Sequence, residues 1–130
     1  MATRQQLSVI MDNVPGTLAT MCSAFAEKDV NIIAFTSSSE QAGKSLVRVV
    51  VDKVEAAKNV LQAIGYAYTE EQILATELPN SPGALATVAK TLGDADVNID
   101  YAYVGAEAES SQLLAVLSVS DLGRAKQLVK

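Results

Sequence analysis

The sequence contains no histidine, no tryptophan and a single cysteine, Cys22. Without histidine, imidazole acid–base catalysis and imidazole-ligated metal sites are excluded. One thiol closes no internal disulfide and builds no thiolate cluster around a metal. Basic residues are scarce as well: ten Lys and Arg stand against fifteen Asp and Glu, for a net charge of −5. That balance disfavours a phosphate backbone or an anionic membrane as partner. Apolar runs stay far below the roughly 18 residues that cross a bilayer. The opening Met1-Ala2-Thr3-Arg4-Gln5-Gln6 lacks the apolar core of a secretion signal. A cytoplasmic protein without metal or cofactor is expected. No nucleophile–base pairing is legible, so it is not expected to be an enzyme.

What is present is apolar and repeated. Hydrophobic residues make up 49% of the 130 positions and charged ones 19%, which suits a packed core and argues against disorder. The stretch Asn13-Val14-Pro15-Gly16-Thr17-Leu18-Ala19-Thr20 returns as Asn80-Ser81-Pro82-Gly83-Ala84-Leu85-Ala86-Thr87, 67 residues later. The same offset carries Val30-Asn31-Ile32 onto Val97-Asn98-Ile99 and Leu7 onto Leu74. Agreement in fixed register over so many positions marks an internal duplication. The chain therefore divides into two halves, residues 1–70 and 71–130, each near the lower size limit for independent folding.

Taken in order, the alternation around Leu7, Val9 and Met11 predicts a short strand. The turn Asp12 to Gly16 feeds a helix, with proline suited to the first helical position. Leu18, Met21, Cys22 and Phe25 give that helix one apolar face, so Cys22 reads as a packed thiol. Glu27-Lys28-Asp29 ends it, and Val30 to Thr36 predicts a second strand. A polar turn, Ser37 to Lys44, precedes a third strand at Leu46 to Val51. Asp52 is the expected N-cap of a second helix whose Val54, Ala57, Leu61 and Ile64 share a face, with Gly65 just past its end. Tyr66 to Thr69 predicts a fourth strand. Only Glu70-Glu71 stands before the next strand, Gln72 to Leu78, so no flexible linker separates the halves and a rigid relation is expected.

The second half repeats the order. Ser81-Pro82 predicts a cap followed by proline, Leu85, Val88 and Leu92 an apolar helical face, and Val97 to Val104 a strand. Gly105 to Ser110 forms a turn, in which Glu107 to Glu109 reads as solvated. From Gln112 to Val119 a further strand is predicted, and there the offset becomes 68, so that Ser120 matches Asp52. A fourth strand is missing from this half. The alternating tyrosines Tyr66, Tyr68, Tyr101 and Tyr103 suggest strand faces that pack a partner or a sheet edge. The expected class is α+β: two tandem ferredoxin-like β-α-β-β-α-β copies, with antiparallel sheets and helices on one face.

A strand entering Asn-x-Pro-Gly-x-Leu-Ala, then a helix, then Val-Asn-Ile, resembles the ACT domain, a small regulatory module of amino-acid metabolism. Asn13, Pro15, Gly16, Leu18, Ala19, Val30, Asn31 and Ile32 carry the resemblance in the first copy. Asn80, Pro82, Gly83, Leu85, Ala86, Val97, Asn98 and Ile99 carry it in the second. It implies a tandem regulatory protein that binds an amino acid where two domains meet, and a homodimer that completes or extends a sheet. The implied ligand-binding residues are Asn13, Val14, Pro15, Gly16, Thr17, Asn31 and Ile32, with Asn80, Ser81, Pro82, Gly83, Ala84, Asn98 and Ile99. Asp12, the acidic residue before the first turn, would meet an α-ammonium group; its counterpart is Pro79. The turns themselves suit this, because a helix N-terminus offers unpaired N–H groups to a carboxylate and glycine lets a ligand approach closely.

A plainer reading stands beside it. Each Pro-Gly pair is also ordinary turn chemistry. The apolar strand positions Val47, Val49, Leu113 and Leu117 would equally suit a structural or oligomerisation module with degenerate ligand sites. An RNA-binding sheet is disfavoured by the acidic balance and the lack of aromatics on the central strands. A separate regulated enzyme is a further candidate partner.

Overall fold

A computed structural model describes residues 3–106 and 112–129. The elements run β1 (Thr3–Asp12), α1 (Thr17–Glu27), β2 (Ile32–Ser39), β3 (Lys44–Val51), α2 (Val54–Ile64), β4 (Ala67–Leu78), α3 (Ala84–Asp94), β5 (Ile99–Ala106), β6 (Leu113–Val119) and α4 (Leu122–Leu128). The mixture is α+β. The chain divides into two compact units: one spans Gln5–Glu71, and the other joins Thr3 and Arg4 to the residues from Gln72 onward. Thr3 and Arg4 therefore count with the later half and not with the earlier one, where the sequence division at residue 70 puts them. Glu107 to Glu109 lie outside the described residues, and Gly105 and Ala106, expected to open that turn, still belong to β5.

Within the first unit, β3 lies between β1 and β2 and runs antiparallel to both, with Leu7 opposite Val49 and Phe35 opposite the same valine. Period-2 alternation turns Leu7, Val9 and Met11 of β1 and Val47, Val49 and Val51 of β3 to one side. There they meet Met21 and Phe25 of α1 and Ala57, Val60 and Leu61 of α2 in one buried cluster. Both helices therefore cover the same face of the strands. Cys22 packs at the margin of this core, as its helical position predicts.

The second unit repeats the plan, with β6 between β4 and β5. Leu74, Leu78, Ala115 and Leu117 of its strands pack with Val88, Leu92 and Ala125 of its helices. Leu85 departs from the expected helical face and is 53% exposed. Ala84, one residue earlier, packs against that core in its place. Val47, Val49 and Leu117, expected to suit a partner, are fully buried within their own units.

Local chemistry corrects the helix starts. Gly16 holds φ 95° and Gly83 φ 86°, a left-handed conformation that is not helical, so each Pro-Gly pair is a turn and α1 and α3 begin one residue later. Neither Pro15 nor Ser81-Pro82 opens a helix as predicted. Helix ends also repeat: the Val30 N–H reaches the Phe25 carbonyl and the Val97 N–H the Leu92 carbonyl, each at 2.9 Å. Asp29 (φ 58°) and Asp96 (φ 60°) make these reversals, which short polar side chains tolerate. Gly65, at φ 76°, closes α2 as expected.

The predicted break at Glu70-Glu71 is absent, and β4 continues through both residues. Their carboxylates are held laterally: Gln5 donates to Glu70 at 3.0 Å and Gln6 to Glu71 at 2.9 Å, and Ser8 also donates to Glu71. Two glutamates that stand between two predicted strands become strand residues once amide and hydroxyl donors from β1 satisfy them.

Candidate functional site

Asp12 ends β1 opposite Lys44, the first residue of β3. This pairing sets the Asp12 carboxylate 2.5 Å from the Lys44 ammonium on the surface. Beside it the turn is tied down by its own polar groups. Thr17 Oγ1 donates to the Asp12 carbonyl at 2.7 Å, and the Asn13 N–H donates to the Gly43 carbonyl at 2.8 Å. Asn13 Nδ2 reaches Ser39 Oγ at 3.3 Å, so this amide faces the β2–β3 connection. Val14 is 55% exposed, and Pro15 and Gly16 are exposed with it. Because Gly16 has no side chain, no capping group covers the first turn of α1, which leaves the positive end of an 11-residue helix open beside Asp12.

Behind this turn lies a cleft of about 310 Å³. Ile10, Met11, Asp12, Thr17 and Lys44 line it together with Ile64, Gly65, Tyr66 and Ala67. The Tyr66 hydroxyl donates to the Thr17 carbonyl at 2.9 Å and so fixes one wall to the start of α1. Two other cavities in this unit have different characters. A groove of about 500 Å³ runs between α1 and α2 past Ala24, Ala56 and Ala63. A recess of about 190 Å³, lined by Leu18, Met21, Cys22, Ile32, Phe35 and Val49, is apolar. Neither touches the Pro-Gly turn.

The second turn is built alike, without the charges. The Ser81 N–H donates to the Pro79 carbonyl at 2.9 Å, and Thr87 donates to the Gly83 carbonyl through both N–H and Oγ1, at 3.0 Å each. Thr20 does the same to Gly16. Asn80, Ser81, Pro82 and Gly83 are exposed and Ala84 half-buried. Where the first copy has Asp12 and Lys44, the second has Pro79 and Gln112.

Asn31 and Ile32 do not join the Pro-Gly turn of their own unit. Ile32 pairs with Val51, whereas Met11 pairs with Ser45 at the other end of β3. At about 3.3 Å per residue the two ends are roughly 20 Å apart. Asn98 and Ile99 stand likewise at the Val119 end of β6, remote from Leu78 and the turn after it. The Asn31 backbone is instead bound to Asp52: its N–H donates to Asp52 Oδ1 at 2.9 Å, and its carbonyl accepts the Asp52 N–H at 3.1 Å. Asp52 therefore does not cap α2, whose first residue comes after Lys53 with no capping side chain. Ser120 performs the same service for Asn98, at 2.9 Å in both directions. The doubled Val-Asn-Ile marks this paired junction.

Sequence reasoning did not place Lys44 or Tyr66 beside the Asp12 turn. Lys44 stands 32 positions from Asp12, and only strand pairing brings them together. Among the described residues no group of His, Cys, Asp or Glu is placed to hold a metal ion, and no helix is long and apolar enough to cross a membrane.

Comparison with known proteins agrees with this architecture. A family model described as an ACT domain pair matches residues 2–129. No curated protein matches the chain by sequence. Among solved structures, a protein of Bacteroides thetaiotaomicron is similar at 26% identity and a TM-score of 0.86, over 98% of this chain and 87% of that one. The regulatory subunit of aspartate kinase from Thermus thermophilus, in its ligand-free form, shares the fold at 15% identity and a TM-score of 0.68, covering 99% and 93%. That from Thermus flavus does so at 17% identity and a TM-score of 0.55, covering 98% and 97%.

Proposed function

The chain belongs to the ACT domain pair family, and from that premise we propose that it is a non-catalytic regulatory module that binds an amino acid. In this reading the halves 1–70 and 71–130 are two tandem ferredoxin-like domains. One observation carries the ligand assignment: the N-terminus of α1 is left uncapped by Gly16 beside a cleft that holds both a carboxylate and an ammonium group. Backbone N–H groups and the helix dipole recognise a carboxylate without needing a dedicated basic side chain. The regulatory-subunit character of the aspartate kinase neighbours supports the same class.

The mechanism we propose is ligand-biased assembly. An amino acid that binds one arrangement of a homodimer more tightly than another shifts the population toward it, by no more than its difference in affinity. Exposed apolar residues, Phe35 at 52% and Val104 at 54%, support a partner surface.

Thermal unfolding in the presence of each standard amino acid, one at a time at millimolar concentration, tests the reading. A ligand at 100 times its dissociation constant stabilises the native state by about 2.7 kcal/mol and raises the midpoint. A midpoint that moves with none of them overturns amino-acid binding and leaves an oligomerisation module.

A further inference from the structure

The groove of about 500 Å³ between α1 and α2 lies on the outer side of the two helices of the first unit. On α2 it is lined by Ala56, Asn59, Val60 and Ala63, whose i, i+3, i+4, i+7 spacing puts them on one face. On α1 it is lined by Ala24, Glu27 and Lys28. The alanines let another helix approach closely, and they lose no rotamer freedom when covered.

Charge decides what fits. Glu27 and Lys28 are exposed and opposite in sign, and among the described residues neither has an ion-pair partner. They do not neutralise each other, because residues i and i+1 point apart on a helix. A surface that carries one unpaired charge of each sign is complementary to itself under a two-fold rotation. The exposed Asn59 amide, which both donates and accepts, suits a position near the axis, where it meets its own copy. The second unit lacks this surface. In register, Ala24, Lys28, Ala56 and Asn59 correspond to Thr91, Ala95, Arg124 and Gln127. Asp94, the counterpart of Glu27, is held by Lys90 at 3.0 Å.

Resting on the homodimer of the reading above, we infer that the α1–α2 groove of the first unit is the face on which a second copy of this chain docks. The two copies pack helix on helix across a two-fold axis, with Glu27 of each meeting Lys28 of the other at the rim. The duplication therefore does not give the chain two such faces, and assembly stops at two copies through this contact.

Analytical ultracentrifugation of the full chain over a concentration series tests this. The wild-type chain is expected to dimerise. Ala56→Arg, which installs the residue the second copy carries, raises the dissociation constant at least tenfold. Glu27→Lys and Lys28→Glu each raise it at least threefold, and the double exchange Glu27→Lys with Lys28→Glu restores it to near the wild-type value. Lys126→Glu, the same change of charge on exposed α4, leaves it unchanged. Glu27 and Lys28 are exposed, so unchanged circular dichroism of their variants separates lost docking from lost folding even where Ala56→Arg fails to fold. A dimer as tight in Glu27→Lys and Ala56→Arg as in the wild type overturns the groove and leaves the homodimer standing with its contact elsewhere. A double exchange no tighter than the single changes overturns the two-fold pairing of Glu27 with Lys28. A wild-type chain that stays monomeric throughout overturns the groove and the homodimer beneath it together.

Discussion

Asn31 and Asp52, 21 residues apart in sequence, are tied in both directions where β3 ends and β2 begins. The Asn31 N–H donates to the Asp52 carboxylate, and the Asp52 N–H donates to the Asn31 carbonyl. Replacing the side chain leaves the second bond intact and removes the first. Asp52→Ala is expected to cost about 1 kcal/mol, read as a lower midpoint in urea denaturation. Asp52→Ser is expected to retain most of the stability, because Ser120 performs this role for Asn98.

Gly16 and Gly83 test whether the turns depend on backbone conformation or on space. A Cβ at either position meets nothing within 4 Å, so only the left-handed φ opposes a side chain. Gly16→Ala and Gly83→Ala should each destabilise by about 1–2 kcal/mol, and Gly16→Asn by less, since asparagine tolerates this region. Equal losses from Asn and Ala would contradict the conformational account.

Phe25 is fully buried beside Met21 and Leu61, and the duplication places Leu92, also fully buried, at its counterpart. Truncation to alanine opens a cavity and should cost about 3–5 kcal/mol. Phe25→Leu should cost clearly less, because the second copy packs leucine at that place. Chemical denaturation of the two variants under identical conditions decides this.

Burial pushes the Cys22 thiol above its ordinary value. The fold therefore favours the neutral thiol. That contribution is fully present below the pKa of the unfolded thiol, about 8.5, and is lost as pH rises through the higher folded value. Reaction with an aromatic disulfide reagent should be slower than for free cysteine at about pH 8 and should accelerate at more alkaline pH. Stability should decline over the same alkaline range. A Cys22 as reactive as the free amino acid under the milder condition would contradict a packed thiol.

The strand and helix order was legible because hydrophobic period and turn residues act over a few positions. Leu18, Met21, Cys22 and Phe25 show one helical face, and Gly65 announces the end of α2. Where sequence reading erred, a distant partner had changed the local outcome. Glu70-Glu71 reads as a break until Gln5, Gln6 and Ser8 satisfy the two carboxylates and β4 passes straight through. Asp52 is a good N-cap by type, yet its carboxylate is already taken by Asn31. Proline at a helix start is a sound expectation, but the glycine after it, at φ 95°, moves the start beyond both.

The sequence by itself determined the duplication, the family resemblance and the two Pro-Gly turns, since each is a pattern of near neighbours repeated in register. Only the tertiary structure decided that Asn31 stands at the far end of the strands from its own turn, that Lys44 meets Asp12, and that Thr3 and Arg4 count with the second unit. These depend on strand register. Register is set by which apolar positions face the helices across the whole unit, a long-range condition that no short stretch of residues contains.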